Sequence, residues 1–167
     1  MTIAMQPIYT QTITSAGSNV TFNNIPQTFT DLMLKISLRP VYAGAMAVIM
    51  SINGSTANGS RTYLFGNGSG TGSGRNTAIY PMGANGTYTA NTFTNAEIYI
   101  PNYASSNFKS ISSSYVAENN ASTASLELIA SLWSQTAAIT SLGFSDGSAG
   151  TGFAINSTFT LYGITKG

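Results

Sequence analysis

The chain has 167 residues, 43% of them hydrophobic and only 7% charged, with six Lys and Arg against five Asp and Glu and neither Cys nor His. That length holds one hydrophobic core. The missing Cys and His exclude a disulfide framework, a thiol nucleophile, a Ser-His-Asp triad and the ordinary zinc sites.

Lys35, Arg39, Arg61, Arg75, Lys109 and Lys166 are scattered along the chain. Nucleic-acid binding and adhesion to a membrane surface both draw on clustered cations, so neither is expected. In place of charge, 22 Ser, 22 Thr and 15 Asn supply the polar surface. Net charge near zero removes the repulsion that keeps copies apart and favours self-association.

Met1 to Pro7 carries neither a basic nor an apolar leader pattern, and the longest apolar stretch, Ala43 to Met50, is too short to cross a bilayer. The expectation is synthesis in the cytoplasm and release by lysis. Strand patterns begin at Ile8 to Thr14 and Asn19 to Asn23. Leu32, Leu34, Ile36 and Leu38 then alternate with Met33, Lys35, Ser37 and Arg39, a clean period of two. Met46, Val48, Met50 and Ile52 repeat it and end at Asn53-Gly54, a tight-turn dipeptide. Arg61 to Phe65 is the next strand, and Gly66 to Gly74, nearly pure Gly, Ser, Thr and Asn, reads as an exposed flexible loop. Further strands are predicted at Thr92 to Ile100, Phe108 to Ala117, Ala138 to Phe144 and Thr158 to Ile164. Leu126, Ile129, Ala130 and Trp133 fit a helical stripe, whereas Leu126, Leu128, Ala130 and Leu132 fit a strand. Strand is favoured because every neighbour is strand; the helix stays open.

Additional turns are predicted at Asn58-Gly59, Asn67-Gly68, Asn85-Gly86 and Asp146-Gly147. Eight to nine short strands with such turns predict an all-β chain, a single-domain antiparallel β-sandwich over 1–167, jelly-roll-like.

Among the acids, Asp31 precedes the first clean strand, Asp146 lies in a turn, and Glu97 and Glu127 are expected to point outward. With Glu118 they form no recognisable pair for acid-base chemistry, so no catalytic residue is assigned. The glycine-rich run is followed by Arg75 and Asn76, not by the Lys and hydroxyl residue of a phosphate loop. Asp146-Gly147-Ser148 lacks the further carboxylates of a calcium loop, so neither metal nor cofactor is expected. Seven Asn-x-Ser/Thr triplets, at Asn19, Asn53, Asn58, Asn67, Asn85, Asn120 and Asn156, follow from a composition rich in these residues. Tyr42, Tyr80, Tyr88 and Tyr103 fall in or near predicted loops, where a subunit interface is favoured over a glycan site. Trp133 is expected in the core. Met33 and Ile49 are apolar residues on the outward phase of their strands and predict an oligomer.

Three segments carry a resemblance: Thr28-Phe29-Thr30-Asp31-Leu32-Met33-Leu34, Thr94-Asn95-Ala96-Glu97-Ile98-Tyr99-Ile100-Pro101-Asn102-Tyr103, and Ser157-Thr158-Phe159-Thr160-Leu161-Tyr162-Gly163-Ile164. Together they are similar to small virion structural proteins of tailed bacteriophages. The resemblance implies a β-sandwich on the virion surface, commonly trimeric, contacting the major capsid protein or other virion proteins. It implies a capsid decoration (cement) protein or, alternatively, a tail-fibre or receptor-binding domain holding a host glycan. It transfers no site residue.

Overall fold

The structure is a computed structural model that describes residues 4–17, 19–120, 124–148 and 150–165. Its twelve strands are β1 (Ala4–Thr12), β2 (Val20–Phe22), β3 (Asp31–Leu38), β4 (Ala45–Ile52), β5 (Gly59–Gly66), β6 (Thr71–Asn76), β7 (Met82–Asn85), β8 (Thr94–Ile100), β9 (Lys109–Ala117), β10 (Ser125–Trp133), β11 (Leu142–Asp146) and β12 (Thr158–Thr165). All pair antiparallel, in an eight-stranded sheet ordered β1-β12-β3-β8-β9-β10-β5-β6 and a four-stranded sheet ordered β2-β11-β4-β7. The all-β sandwich expected from the sequence is the fold of the chain. Among the described residues no helix is long and apolar enough to cross a membrane.

The strand order has a simple origin. When the hairpins β5–β6 and β9–β10 are set aside, eight strands remain. They run first, eighth, third, sixth in one sheet and second, seventh, fourth, fifth in the other. That is the wrapped order of a jelly roll, in which one long antiparallel ribbon curls so that its two sheets face each other. The two hairpins are insertions in this plan. Both add to the same sheet, so that sheet outgrows its partner. The smaller sheet ends at β7, which packs against β8 and β9.

Between the sheets lies the core. Leu32, Leu34, Ile36 and Leu38 of β3 point into it and are all but fully buried, as are Val48, Met50 and Ile52 of β4. Each fully buried aliphatic side chain of this size contributes about 1.5–3 kcal/mol of transfer free energy. Aromatic rings tie the layers: Phe22 meets Phe144 at 6.4 Å, Phe144 meets Phe159 at 5.7 Å, and Phe159 meets Phe153 at 5.2 Å. Phe159 belongs to the large sheet and Phe144 to the small one, so the contact crosses the sandwich.

Four expectations need correction. Gly66 to Gly74 is not a flexible loop: only four residues separate β5 from β6, and Asn67 Oδ1 accepts from the Ser69 N–H at 3.1 Å and the Gly70 N–H at 2.9 Å to close the turn. Gly72 and Gly74 are strand residues that lie opposite Phe65 and Tyr63, and a Cβ on either would collide with the facing ring. The glycines are there because aromatic neighbours cover them. The strand expected at Ala138 to Phe144 starts only at Leu142. Residues 138–141 are held instead by the Asn53 side chain, which donates to the Ala138 carbonyl at 2.8 Å and accepts from the Thr140 N–H at 2.8 Å and the Ser141 N–H at 3.2 Å. Residues 125–133 form a strand, as favoured, but with the opposite phase. Ile129 and Trp133 point inward with Glu127, while Leu126, Leu128 and Leu132 point outward. Tyr103 is not near the surface; it is fully buried and its hydroxyl donates to the Pro26 carbonyl.

Candidate functional site

The carboxylates separate into structural and surface roles. Asp31 is buried and accepts from the Tyr99 hydroxyl at 2.6 Å and the Asn102 N–H at 2.9 Å, fixing the turn after β8 to the start of β3. Asp146 accepts from the Ser148 and Thr151 N–H groups at 2.8 and 3.0 Å and from the Thr151 hydroxyl at 2.8 Å, which holds the segment after β11. Glu118 accepts from the N–H groups of Asn119 and Asn120 at 3.0 and 2.9 Å. Glu97 is exposed on the outer face, paired with Lys35 directly across the β3–β8 ladder. Among the described residues no group of three His, Cys, Asp or Glu is placed to hold a metal ion.

Most of the triplet asparagines have turn roles. Asn53, Asn58, Asn120 and Asn156 sit at positive φ, where Asn is tolerated better than most side chains, and Asn85 Oδ1 accepts from the Thr87 N–H at 2.9 Å. Their number reflects turn chemistry.

Two surfaces remain, and both belong to the inserted hairpins. The first is the outer face of the large sheet. Leu64, Val116, Leu126 and Leu128 are 59%, 54%, 57% and 61% exposed. Register makes them one patch: Leu128 lies opposite Leu64, and Leu126 opposite Val116. Cross-strand partners of this kind stand within side-chain contact. Ser112 and Ser114 beside them, and Met33, Glu97 and Tyr99 beyond, form the far side of a shallow groove. Met33 is only half-buried there, and Ile49 is half-buried on the small sheet. Neither is the main exposed apolar surface. Leu126 and Leu128, which are part of it, had no outward signal in the sequence, because the Leu run of β10 reads as a core face.

The second surface is a cleft of about 330 Å³ on the inner side, where β10 and β5 run past the small sheet. Arg61, Tyr115, Ser125 and Glu127 line one wall; Ala45, Met46, Ala47 and Met82 of β4 and β7 line the other. Tyr88 stands at the rim. Glu127, expected outward, therefore faces the cleft, and Arg61 Nη1 is 3.8 Å from its Oε2, too far for a hydrogen bond. Arg61 is fixed elsewhere: it donates to Asn76 Oδ1 at 3.0 Å and to the Tyr80 carbonyl at 2.8 Å, and its guanidinium lies 4.3 Å over the Tyr63 ring and 5.1 Å over that of Tyr80. Burial pushes the Tyr115 phenol well above the ordinary value of 10.0; its contact to Ser125 acts the other way, and the neighbouring Glu127 carboxylate adds to the rise, so it stays protonated. Burial also raises Tyr88.

Arg39 builds the rim. Its guanidinium donates to the carbonyls of Gly86 at 2.8 Å, Tyr88 at 2.9 Å, and Thr89 and Thr92 at 3.0 Å, pinning the loop between β7 and β8. Gly86 sits so close to the Tyr42 carbonyl that any Cβ would collide with it, which brings Tyr42, Tyr88 and the loop together. Of the four loop tyrosines, then, Tyr88 lines the cleft, Tyr80 braces Arg61, Tyr103 is core, and Tyr42 is exposed. Trp133 is buried as expected, beneath Lys109 Nζ at 5.5 Å. The role of Arg39 had no local signal in the sequence.

Compared with family models, curated proteins and solved structures, the chain matches none.

Proposed function

We propose that this chain is a non-catalytic structural protein of a bacteriophage virion, a capsid decoration module that works by burying its outer leucine face against protein neighbours. The observation that carries this reading is the patch of Leu64, Val116, Leu126 and Leu128 on the outer face of the large sheet. Contiguous apolar surface on a folded chain marks a site that another surface covers. A chain of net charge +1 sets up little repulsion against a second copy. The three virion-like segments lend support of another kind: they contribute β3, β8 and β12, which are neighbours in the large sheet, so the resemblance follows one contiguous part of the fold. The partner is a second copy, in a trimer, and through it the major capsid protein. Binding only the assembled shell would stabilise that shell.

Light scattering at micromolar concentration tests the oligomer. The wild-type chain is expected to be a trimer, and L64S/L126S/L128S a monomer with an unchanged β-type circular dichroism spectrum. A monomeric wild type removes the self-association step. Particles lacking the protein separate decoration from the second reading, a receptor-binding domain, which the inner cleft favours. Decoration predicts particles that adsorb normally and rupture at lower temperature; receptor binding predicts particles of normal heat resistance that fail to adsorb.

A further inference from the structure

We propose that the inner cleft is a binding site for one neutral saccharide unit, with Glu127, Arg61, Tyr115 and Ser125 taking its hydroxyls and the β4–β7 wall taking its C–H face. The inference does not rest on the assembly reading, since it uses the opposite face of the sheet.

Hydrogen-bonding chemistry on the large-sheet side is complete and varied. Glu127 contributes acceptors only, Arg61 donors only, and the Tyr115 and Ser125 hydroxyls, 3.3 Å apart, can each do both. A sugar hydroxyl also donates and accepts, so a vicinal pair can bridge a carboxylate and a guanidinium at once. The Glu127–Arg61 spacing of 3.8 Å leaves this pair without a direct hydrogen bond. Glu127 Oε2 has no hydrogen-bond partner among the described residues. Oε2 itself is closed to solvent, so a ligand's donor meets it only once the carboxylate turns toward the cleft, relieving the desolvation cost of an unpaired acceptor. Glu127 and Arg61 keep 15% and 10% side-chain exposure, the edge they present to the cleft.

Charge and shape narrow the ligand class. One carboxylate beside one guanidinium makes the wall neutral overall, so a phosphate or carboxylate ligand would meet repulsion from Glu127. A lone carboxylate is too few oxygens for a hard cation. Opposite lie Ala45, Met46, Ala47 and Asn85, a mainly apolar wall over the buried Met82. A pyranose has this duality: hydroxyls around its edge and a C–H face. About 330 Å³ is at the small end of ligand pockets, suited to about one or two rings and not to an extended peptide. Preorganisation is also present, because Arg61 is held by Asn76 and the Tyr80 carbonyl, and the Tyr88 rim is held by Arg39.

Saturation-transfer NMR with methyl glucoside, lactose and N,N'-diacetylchitobiose, followed by titration, tests the site. At least one of the three is expected to bind with Kd on the order of 1 mM, and E127Q to weaken it about 10-fold. Y115F should weaken it too, and serves as the second variant should E127Q fail to fold as judged by Trp133 fluorescence. L64S/L126S/L128S should bind the sugar as wild type does, so failure of the assembly reading and failure of this one are distinguishable. The proposal is overturned if none of the three binds at about 50 mM, well above the weakest useful affinity. It is equally overturned if binding survives both E127Q and Y115F unchanged, or if 3'-sialyllactose binds better than lactose.

Discussion

Leu34 and Leu128 occupy the same eight-stranded sheet, on β3 and β10, with two strands between them. Leu34 is fully buried between the sheets; Leu128 is 61% exposed on the outer side. The difference comes from topology. β3 belongs to the wrapped ribbon, where the small sheet covers every inward position and the outward positions carry Met33, Lys35 and Ser37. β10 belongs to an inserted hairpin, where cover runs out: inward positions turn polar at Ser125 and Glu127, and outward ones carry leucine. The jelly-roll strands spend their apolar residues on folding. The inserted strands leave theirs on a surface and put charge on the inside, which is an inversion that folding alone does not require. The buried polar atoms without a hydrogen-bond partner among the described residues, Ser113 Oγ, Glu127 Oε2 and Ser131 Oγ, all fall on the inner side of β9 and β10.

The same substitution in the two regions gives the largest contrast. Leu34→Ala should cost about 3–5 kcal/mol, the transfer term plus a cavity in a core that cannot fully collapse. Leu128→Ala, measured in the L64S/L126S background, should change stability by less than about 0.5 kcal/mol. Urea denaturation followed by Trp133 fluorescence reads both. A loss at Leu128 as large as at Leu34 would mean that its outer face is covered within one chain, and the comparison would break.

The two lysines sharpen it next. Lys109 is buried at the start of β9, and its Nζ donates to the carbonyls of Ser105 and Ala137 at 2.6 Å and of Thr136 at 3.3 Å. It clips the turn after β8 to the link between β10 and β11. Lys109→Met keeps the length and leaves those acceptors without their donor, so a loss of about 2–3 kcal/mol is expected. Lys35→Met, on the exposed outer face opposite Glu97, should cost no more than about 1 kcal/mol in the same denaturation experiment.

Legibility follows the same division. The alternation of Leu32 to Leu38 and Met46 to Ile52 located β3 and β4 because every second residue of those strands is a large apolar side chain that points into the core. The rule fails where a strand is uncovered. Leu126, Leu128 and Leu132 mark a core face by periodicity and yet face solvent, and Glu127 was placed outward by the same logic. β6 was missed because glycine in a strand makes sense only when the facing rings, Tyr63 and Phe65, are known to lie across from it. β7, with the sequence Met82-Gly83-Ala84-Asn85, is too short for any period to register. Within the cleft, Arg61 and Glu127 are far apart in sequence and meet only because β5 pairs with β10. No local pattern encodes that meeting.

The smallest expected effect is on pH dependence, and it too divides core from insertion. Tyr103 in the core and Tyr115 on β9 both have phenols raised by burial above the ordinary 10.0. A group whose folded value is raised binds its proton more tightly when folded, so its contribution is full below pH 10.0 and is lost as pH rises above it. Lys109 has the opposite sign: burial lowers it from 10.5, so it gives up its proton more easily folded than unfolded, and stability rises as pH climbs toward 10.5. Stability should therefore rise slightly on the approach to pH 10 and fall beyond it. In Lys109→Met the rise should vanish while the fall remains. In Tyr115→Phe the fall should become shallower, because Tyr103 alone of the two then carries it. Thermal melts at pH 8, 9, 10 and about 11, spanning the ordinary lysine and tyrosine range, measure this. An alkaline loss unchanged in Tyr115→Phe would mean that the Tyr115 hydroxyl is as free in the folded chain as in the unfolded one. The inner wall of the insertion would then be open to water, unlike the core it extends.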